Sequence, residues 1–221
     1  RTFGHGHIAS ALPWRRDREP YHVWLSEIML QQTRVAAAVP YYERFVQALP
    51  DIPALAACEE ERLLKLWEGL GYYNRVRNMK KAAEILVDRY GGEMAPSYED
   101  ILSLPGIGSY TAGAISSIAF GIKRPAVDGN VLRVLSRLRA DAANIMQQSV
   151  RNGIEEELLA IMPEDRPGDF NQALMELGAM VCTPNGAPKC GECPWKELCV
   201  AHREGRETDF PCKPPKKARV I

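Results

Sequence analysis

Leu104-Pro105-Gly106-Ile107-Gly108, running on into Ser109-Tyr110-Thr111-Ala112-Gly113-Ala114-Ile115, is the stretch whose reading decides the fold. Ser97 to Ser103 before it has a short helical pattern, and Ser109 to Phe120 after it reads as a helix of small residues. The residues between form a tight connection. Its two glycines, Gly106 and Gly108, permit backbone angles and close approaches that a side chain blocks. The turn leaves amide N–H groups at a helix start facing outward, a natural cradle for phosphate. A plain helix–helix connection with glycines for packing reads equally well from these residues alone.

Outward from this turn, helical periodicity dominates and no alternating strand pattern stands out. The pattern predicts helices over about 21–33, 35–48, 60–68, 76–90, 97–103, 109–120, 130–138, 149–162 and 168–181. Pro and Gly clusters such as Pro50 to Pro53, Gly69 to Gly71 and Pro163 to Pro167 punctuate them. A chain of 221 residues, 46% hydrophobic and 25% charged, is long enough for one large domain or two small ones. The tail 209–221, with Pro214-Pro215 and Lys216-Lys217, reads as a stiff basic linker toward a further domain. No apolar run approaches the ~18 residues of a membrane span and no signal segment opens the chain, so a soluble cytoplasmic monomer is expected.

Formal net charge is zero, which argues against a generic polyanion binder. Basic residues nevertheless cluster: Arg15, Arg16 and Arg18; Arg75, Arg77, Lys80 and Lys81; Arg133, Arg137 and Arg139. Each cluster is either a local nucleic-acid footprint or a solvated helix face.

Four of the six cysteines, Cys182, Cys190, Cys193 and Cys199, are separated by seven, two and five residues. In a reducing compartment such a cluster is a metal site rather than a disulfide framework. Four thiolates hold either a tetrahedral zinc or a four-iron cluster. One Cys-x-x-Cys hook with a lone cysteine on each side favours the larger, cuboidal group.

Two carboxylates have suggestive surroundings. Glu27 lies in Val23-Trp24-Leu25-Ser26-Glu27-Ile28-Met29-Leu30-Gln31-Gln32-Thr33, with Val23, Trp24, Leu30 and Gln31 near it at helical spacing. A carboxyl group beside Trp and Leu is partly desolvated and keeps its proton toward neutrality, the profile of a general acid. An ion pair with Arg34 is the plain alternative. Asp128, in Val127-Asp128-Gly129-Asn130, precedes an apolar-periodic helix and is a natural N-cap. Helix N–H groups hold a capping Asp ionised, which suits stabilisation of a cationic transition state. One protonated and one ionised carboxyl group form the pair that cleaves glycosidic bonds.

These pieces, in this order, resemble the endonuclease III superfamily of DNA glycosylases, and most closely its adenine glycosylase (MutY) family. The matching residues are Leu12 to Arg15, Trp24 to Thr33, Trp67 to Tyr73, Leu104 to Gly108, Val127 to Arg133 and Phe170 to Gly178, followed by the cysteines. Leu104 to Gly108 in particular resembles the helix-hairpin-helix that grips a DNA backbone without reading sequence. The resemblance implies an all-α fold of two helical subdomains flanking a DNA-binding cleft. These are a six-helix module over 20–126 and an iron–sulfur cluster domain over 127–208 joined by 1–19. It implies a [4Fe-4S] cluster on Cys182, Cys190, Cys193 and Cys199. It implies double-stranded DNA with A:8-oxoguanine or A:G mispairs as partner, the target nucleotide being flipped out of the stack.

By match to family motifs, Glu27 protonates adenine N7 and Asp128 stabilises the oxocarbenium-like sugar, supported by Asn130 and Tyr110. Trp14, Leu30 and Gln172 line the adenine pocket. Gln32 and Tyr72 wedge into the base stack, and Gly106 and Gly108 meet the DNA backbone. Bifunctional members carry a lysine where this chain has Tyr110, so the resemblance implies a monofunctional glycosylase. The chain departs from the family in a first cysteine gap one residue longer than many members have, and in Ser10-Ala11 where Arg-Asp is usual. Two other readings compete: a thymine–guanine mismatch glycosylase, which also carries Tyr at this position, and a non-catalytic iron–sulfur DNA-binding module. Acid catalysis at N7 suits a purine, and a binding module leaves the Glu27–Asp128 pairing unexplained.

Overall fold

The computed structural model describes residues 12–212. Arg1 to Ala11 and Lys213 to Ile221 lie outside these, and so do the Ser10-Ala11 departure and most of the expected linker. Among the described residues every regular element is helical, as expected. No helix among them is long and apolar enough to cross a membrane. They form two compact units, one ending at Arg124 and the other beginning at Pro125.

The first unit carries α1 (Pro20–Leu30), α2 (Val35–Ala48), α3 (Ile52–Ala57), α4 (Glu60–Trp67), α5 (Asn74–Tyr90), α6 (Tyr98–Leu102) and α7 (Ser109–Phe120). Proline begins α1, and the Glu19 carboxylate accepts from His22 N at 2.9 Å, satisfying one of the free first-turn amides. α3 arises where the Pro50 to Pro53 cluster suggests only a break. Asp51 Oδ1 accepts from Ala54 N at 2.7 Å and Pro53 lies in the first turn, so the proline starts a helix instead of ending one. α7 is buried from Thr111 through Ile118. Its run of small residues lets α1 pack along it.

α1 stops at Leu30, three residues before the predicted end. Gln31 is extended and Gln32 has a left-handed φ of 60°. Tyr72, in the loop after α4, has φ 48°. A non-glycine residue in this region costs about 1–2 kcal/mol, so the surrounding structure must enforce both.

The second unit carries α8 (Gly129–Arg139), α9 (Gln148–Ile161), α10 (Pro167–Glu176), a π-turn over Leu177–Val181 and a short α11 (Val200–Arg203). Val131, Leu132 and Leu135 of α8 pack with Ile154 and Leu158 of α9 and Leu174 of α10. Each such buried side chain contributes about 1.5–3 kcal/mol. The cysteine segment is almost free of regular helix, as its composition suggests, with single 3-10 turns at Cys190–Glu192 and Lys196–Leu198.

Candidate active site

In the first unit, the packing of α1 on α7 brings two predicted residues together. Tyr110 Oη donates to Glu27 Oε2 at 2.6 Å. Glu27 is half-buried, and Val23 and Trp24 beside it on α1 are buried. Leu30, the last residue of α1, is half-buried. Trp14 lies in a 3-10 turn, 7% exposed, with its ring edge-on to Tyr42 at 5.2 Å. Gln32 is exposed and Tyr72 is 64% exposed, so both predicted wedge side chains face solvent on strained backbone.

Gly106 and Gly108 turn out to differ. Gly106 has φ +78°, and a Cβ there would lie 2.7 Å from Asn78 Cβ, so the fold itself demands glycine. Gly108, the N-cap of α7, has φ −102° and open space where a Cβ would stand. The fold places no such demand at Gly108.

In the second unit, Asp128 caps α8. Oδ1 accepts from Asn130 N at 2.9 Å and Val131 N at 2.8 Å, and Oδ2 accepts from Asn130 Nδ2 at 2.6 Å. Burial pushes this carboxyl above the usual range. The Val131 and Asn130 donors and the Arg133 charge pull it back without cancelling the rise. Capping alone predicts the opposite direction.

Residues that the sequence reading did not single out for the site build its support. Asn171 is 1% exposed, and its Oδ1 accepts from Ala126 N at 3.0 Å, pinning the approach to Asp128. Asn130 Oδ1 accepts from Arg133 Nη2 at 2.8 Å, and Arg133 also donates to Gly178 O and Cys182 O, each at 2.7 Å. Gly178 makes this approach possible, because a Cβ there would lie 2.5 Å from Asn130 Cβ. Gln172, on α10 beside Asn171, is half-buried.

Cys182, Cys190, Cys193 and Cys199 are free thiols lining one pocket, together with Arg137, His202 and Glu207. Burial, then the Glu207 charge and hydrogen bond, then Cys199 and Cys182, push the Cys190 thiol up to about 11. Burial raises Cys193 as well. Thiols so placed resist ionisation until a cation compensates them. Arg137, 3% exposed, donates to Cys182 Sγ at 3.4 Å as well as to the carbonyls of Thr183 and Phe210. A closer metal-ligating trio also exists: Cys190, His202 and Glu207 present donor atoms within 4.8 Å of one another, and His202 Nδ1 is 2.5 Å from Glu207 Oε1.

The basic clusters of α5 and α8 are partly inward and partly solvated, with Arg77 and Lys81 exposed. Arg75 turns inward onto carbonyls, Arg77 pairs with Glu60 and Lys80 with Glu84. Arg133 and Arg137 face the cysteine loop, and Arg139 pairs with Glu157.

Comparison with known proteins adds to this geometry. The profile of the "HhH-GPD superfamily base excision DNA repair protein" family matches residues 25–159. The chain is 45% identical to the "Adenine DNA glycosylase" of Rattus norvegicus over 92% of its own length and 42% of that protein's. It is 38% identical to the "Adenine DNA glycosylase" of Buchnera aphidicola subsp. Schizaphis graminum, covering 93% of the chain and 59% of that protein. The chain thus spans less than half of the rat relative. Among solved structures, a thermostable thymine-DNA glycosylase superposes with TM-score 0.78 at 29% identity, covering 87% of this chain and 88% of that one. A trapped endonuclease III–DNA covalent intermediate superposes with TM-score 0.73 at 26% identity, covering 86% of this chain and 87% of that one.

Proposed function

Because the chain belongs to the HhH-GPD superfamily of base excision DNA repair proteins, we propose that it is a monofunctional glycosylase hydrolysing adenine from A:8-oxoguanine and A:G mispairs in duplex DNA. The observation that carries this reading is the 2.6 Å bond from Tyr110 Oη to Glu27 Oε2. The phenol orients the carboxyl group through Oε2, and a tyrosine in place of a lysine offers no amine for a Schiff base.

In this mechanism the adenosine is first extruded from the stack. Glu27 transfers its proton to adenine N7, and the N9–C1′ bond breaks with its electron pair going to the departing, neutral adenine. The sugar becomes an oxocarbenium ion, and the Asp128 carboxylate stabilises it electrostatically. Water adds to C1′, its proton returns to the Glu27 carboxylate, and an abasic site remains. Asn130 orients Asp128. Gln32 and Tyr72 enter the stack, while Trp14, Leu30 and Gln172 line the base pocket. The amides at the start of α7 hold a DNA phosphate, and the side-chain-free Gly108 leaves room for it.

The four thiols fit a [4Fe-4S] cluster better than a single ion. Zinc holds sulfurs at about 2.3 Å, hence about 3.8 Å apart. The close group in this pocket is Cys190, His202 and Glu207, and the four thiols do not form one within 4.8 Å. The buried Arg137 guanidinium suits the net negative charge of any group held by four thiolates. Such a cluster would cross-link the loop and stabilise the unit that carries Asp128.

The likeness to a thymine-DNA glycosylase keeps a second substrate in view. One assay separates the two. Single-turnover reactions are run on duplexes with A:8-oxoguanine or T:G, and hot alkali reveals abasic sites. Alkali-dependent breaks at adenine, lost in Glu27→Gln by about 10²–10⁴-fold, are expected. Breaks at thymine alone would overturn the adenine assignment. Tight DNA binding without abasic sites, unchanged by Glu27→Gln, would leave only the binding-module reading.

A further inference from the structure

Arg75, in the first turn of α5, sends hydrogen bonds in two directions. Nη1 donates to the carbonyls of Ile28 at 3.0 Å, Met29 at 3.2 Å and Gln31, all at the C-terminal end of α1. Nη2 donates to the carbonyls of Leu70 at 3.1 Å and Gly71 at 3.2 Å, in the loop after α4. The guanidinium lies 5.3 Å from the Trp67 ring and 5.6 Å from the Tyr72 ring. Trp67 Nε1 adds a bond to Gly71 O at 3.0 Å.

The carbonyls gripped in this way lead directly into Gln32 on one side and Tyr72 on the other. Those two residues have left-handed, strained backbone, and their side chains are exposed. One guanidinium therefore ties together two loops that are far apart in sequence and that each present one such residue. It meets α1 where the helix ends early, Ile28 O accepting from both Arg75 and Gln31 N.

We propose that Arg75 is a positioning residue for base extrusion, locking the Gln32 and Tyr72 loops into one rigid wedge so that both side chains enter the stack together. The proposal rests on the reading of this chain as a base-flipping glycosylase. Arg75 acts through the two loops and needs no contact with DNA. The planar fork is essential to the role: a lysine ammonium keeps the charge but cannot span five carbonyls on two loops.

The test compares wild type with Arg75→Lys and Arg75→Met, both as the full chain. Amide hydrogen exchange without DNA follows residues 31–33 and 70–73. Single-turnover adenine release is measured on a duplex with the adenine stacked in its mispair and on one with the adenine in a bulge, already unstacked. Both variants are expected to lose protection in the two loops together. Release from the stacked duplex should fall about ten- to a hundredfold, while release from the bulge stays within about twofold of wild type. A general loss of folding would slow both substrates alike. Equal slowing of both, or loss of protection in one loop or neither, would overturn the proposal. If wild type releases no adenine, the enzymatic reading falls, and the exchange arm still decides whether Arg75 couples the loops.

Discussion

Glu27 sits in the body of α1 with the Tyr110 phenol on Oε2, whereas Asp128 stands at the head of α8 with backbone and side-chain N–H donors on its two oxygens. A carboxyl group that must give up a proton needs surroundings that favour its neutral form. A carboxylate that must face a growing positive charge needs its anion held in place, and amides at a helix start do this without moving. Asp128 is nonetheless buried enough for its proton affinity to rise above the usual range. Its charge is maintained against burial, so the donors around it matter to function more than they would on an exposed cap.

The largest expected effect follows from that contrast. Asp128→Asn keeps a side-chain oxygen for the cap, and Asn caps as well as Asp. It removes the charge and puts an amide donor where Oδ2 accepts from Asn130 Nδ2. Adenine release should fall by about 10²–10³-fold. Stability should change little, because the lost Asn130 bond and the relief of a buried charge act in opposite directions. Because the folded-state pKa of Asp128 is raised, the unfolded chain loses this proton first as pH rises, and the ionised residue is a burden on the native state above that point. Thermal unfolding near neutral pH should therefore show Asp128→Asn close to wild type. A clear drop in melting temperature would mean that the cap, and not the charge, is what the residue supplies.

The contrast also marks what could be read from the sequence. Helix-forming stretches, the N-cap role of Asp128 and the convergence of four cysteines follow from local chemistry, because periodicity, capping and metal-ligand spacing are local. The early end of α1 does not, since its last carbonyls meet a guanidinium that arrives from α5. α3 was hidden because Pro53 marks a helix start as readily as a break. The inward turn of Arg133 and Arg137 was hidden among ordinary basic residues. Their signal was spacing: four apart on α8, beside the apolar Val134 and ahead of a cysteine loop that needs positive charge. Gly178 stood in a matched motif, but its reason, the close approach of Asn130, required the tertiary contact.

A smaller effect, and one that depends on pH, sharpens the account of Asp128. Asn130→Ala removes the 2.6 Å bond from Nδ2 to Asp128 Oδ2. A lost donor to the anion raises the Asp128 pKa further. The ionised form then disappears at a higher pH than in wild type, and the acid limb of the single-turnover rate moves upward. On that limb the variant should be slower by about tenfold or more, the scale of one hydrogen bond to a charged group. At pH values well above the limb its rate should return toward that of wild type. A loss of equal size at every pH would show that Asn130 acts on the substrate and not through the Asp128 charge.

The smallest effect is expected on the Glu27 side, and there the comparison is most easily broken. Tyr110→Phe keeps the ring in its place on α7 and removes only the hydroxyl that donates to Oε2. On this account the phenol orients the acid through Oε2 and does not take part in the transfer. Loss of one neutral hydrogen bond should slow adenine release by about two- to fivefold. The shape of the pH profile should be retained, because the Asp128 limb is untouched. A loss as deep as that of Glu27→Gln would assign the hydroxyl a direct contact with the reacting nucleotide. Glu27 would then be held, like Asp128, by groups that share in the chemistry, and the asymmetry between the two carboxylates would disappear.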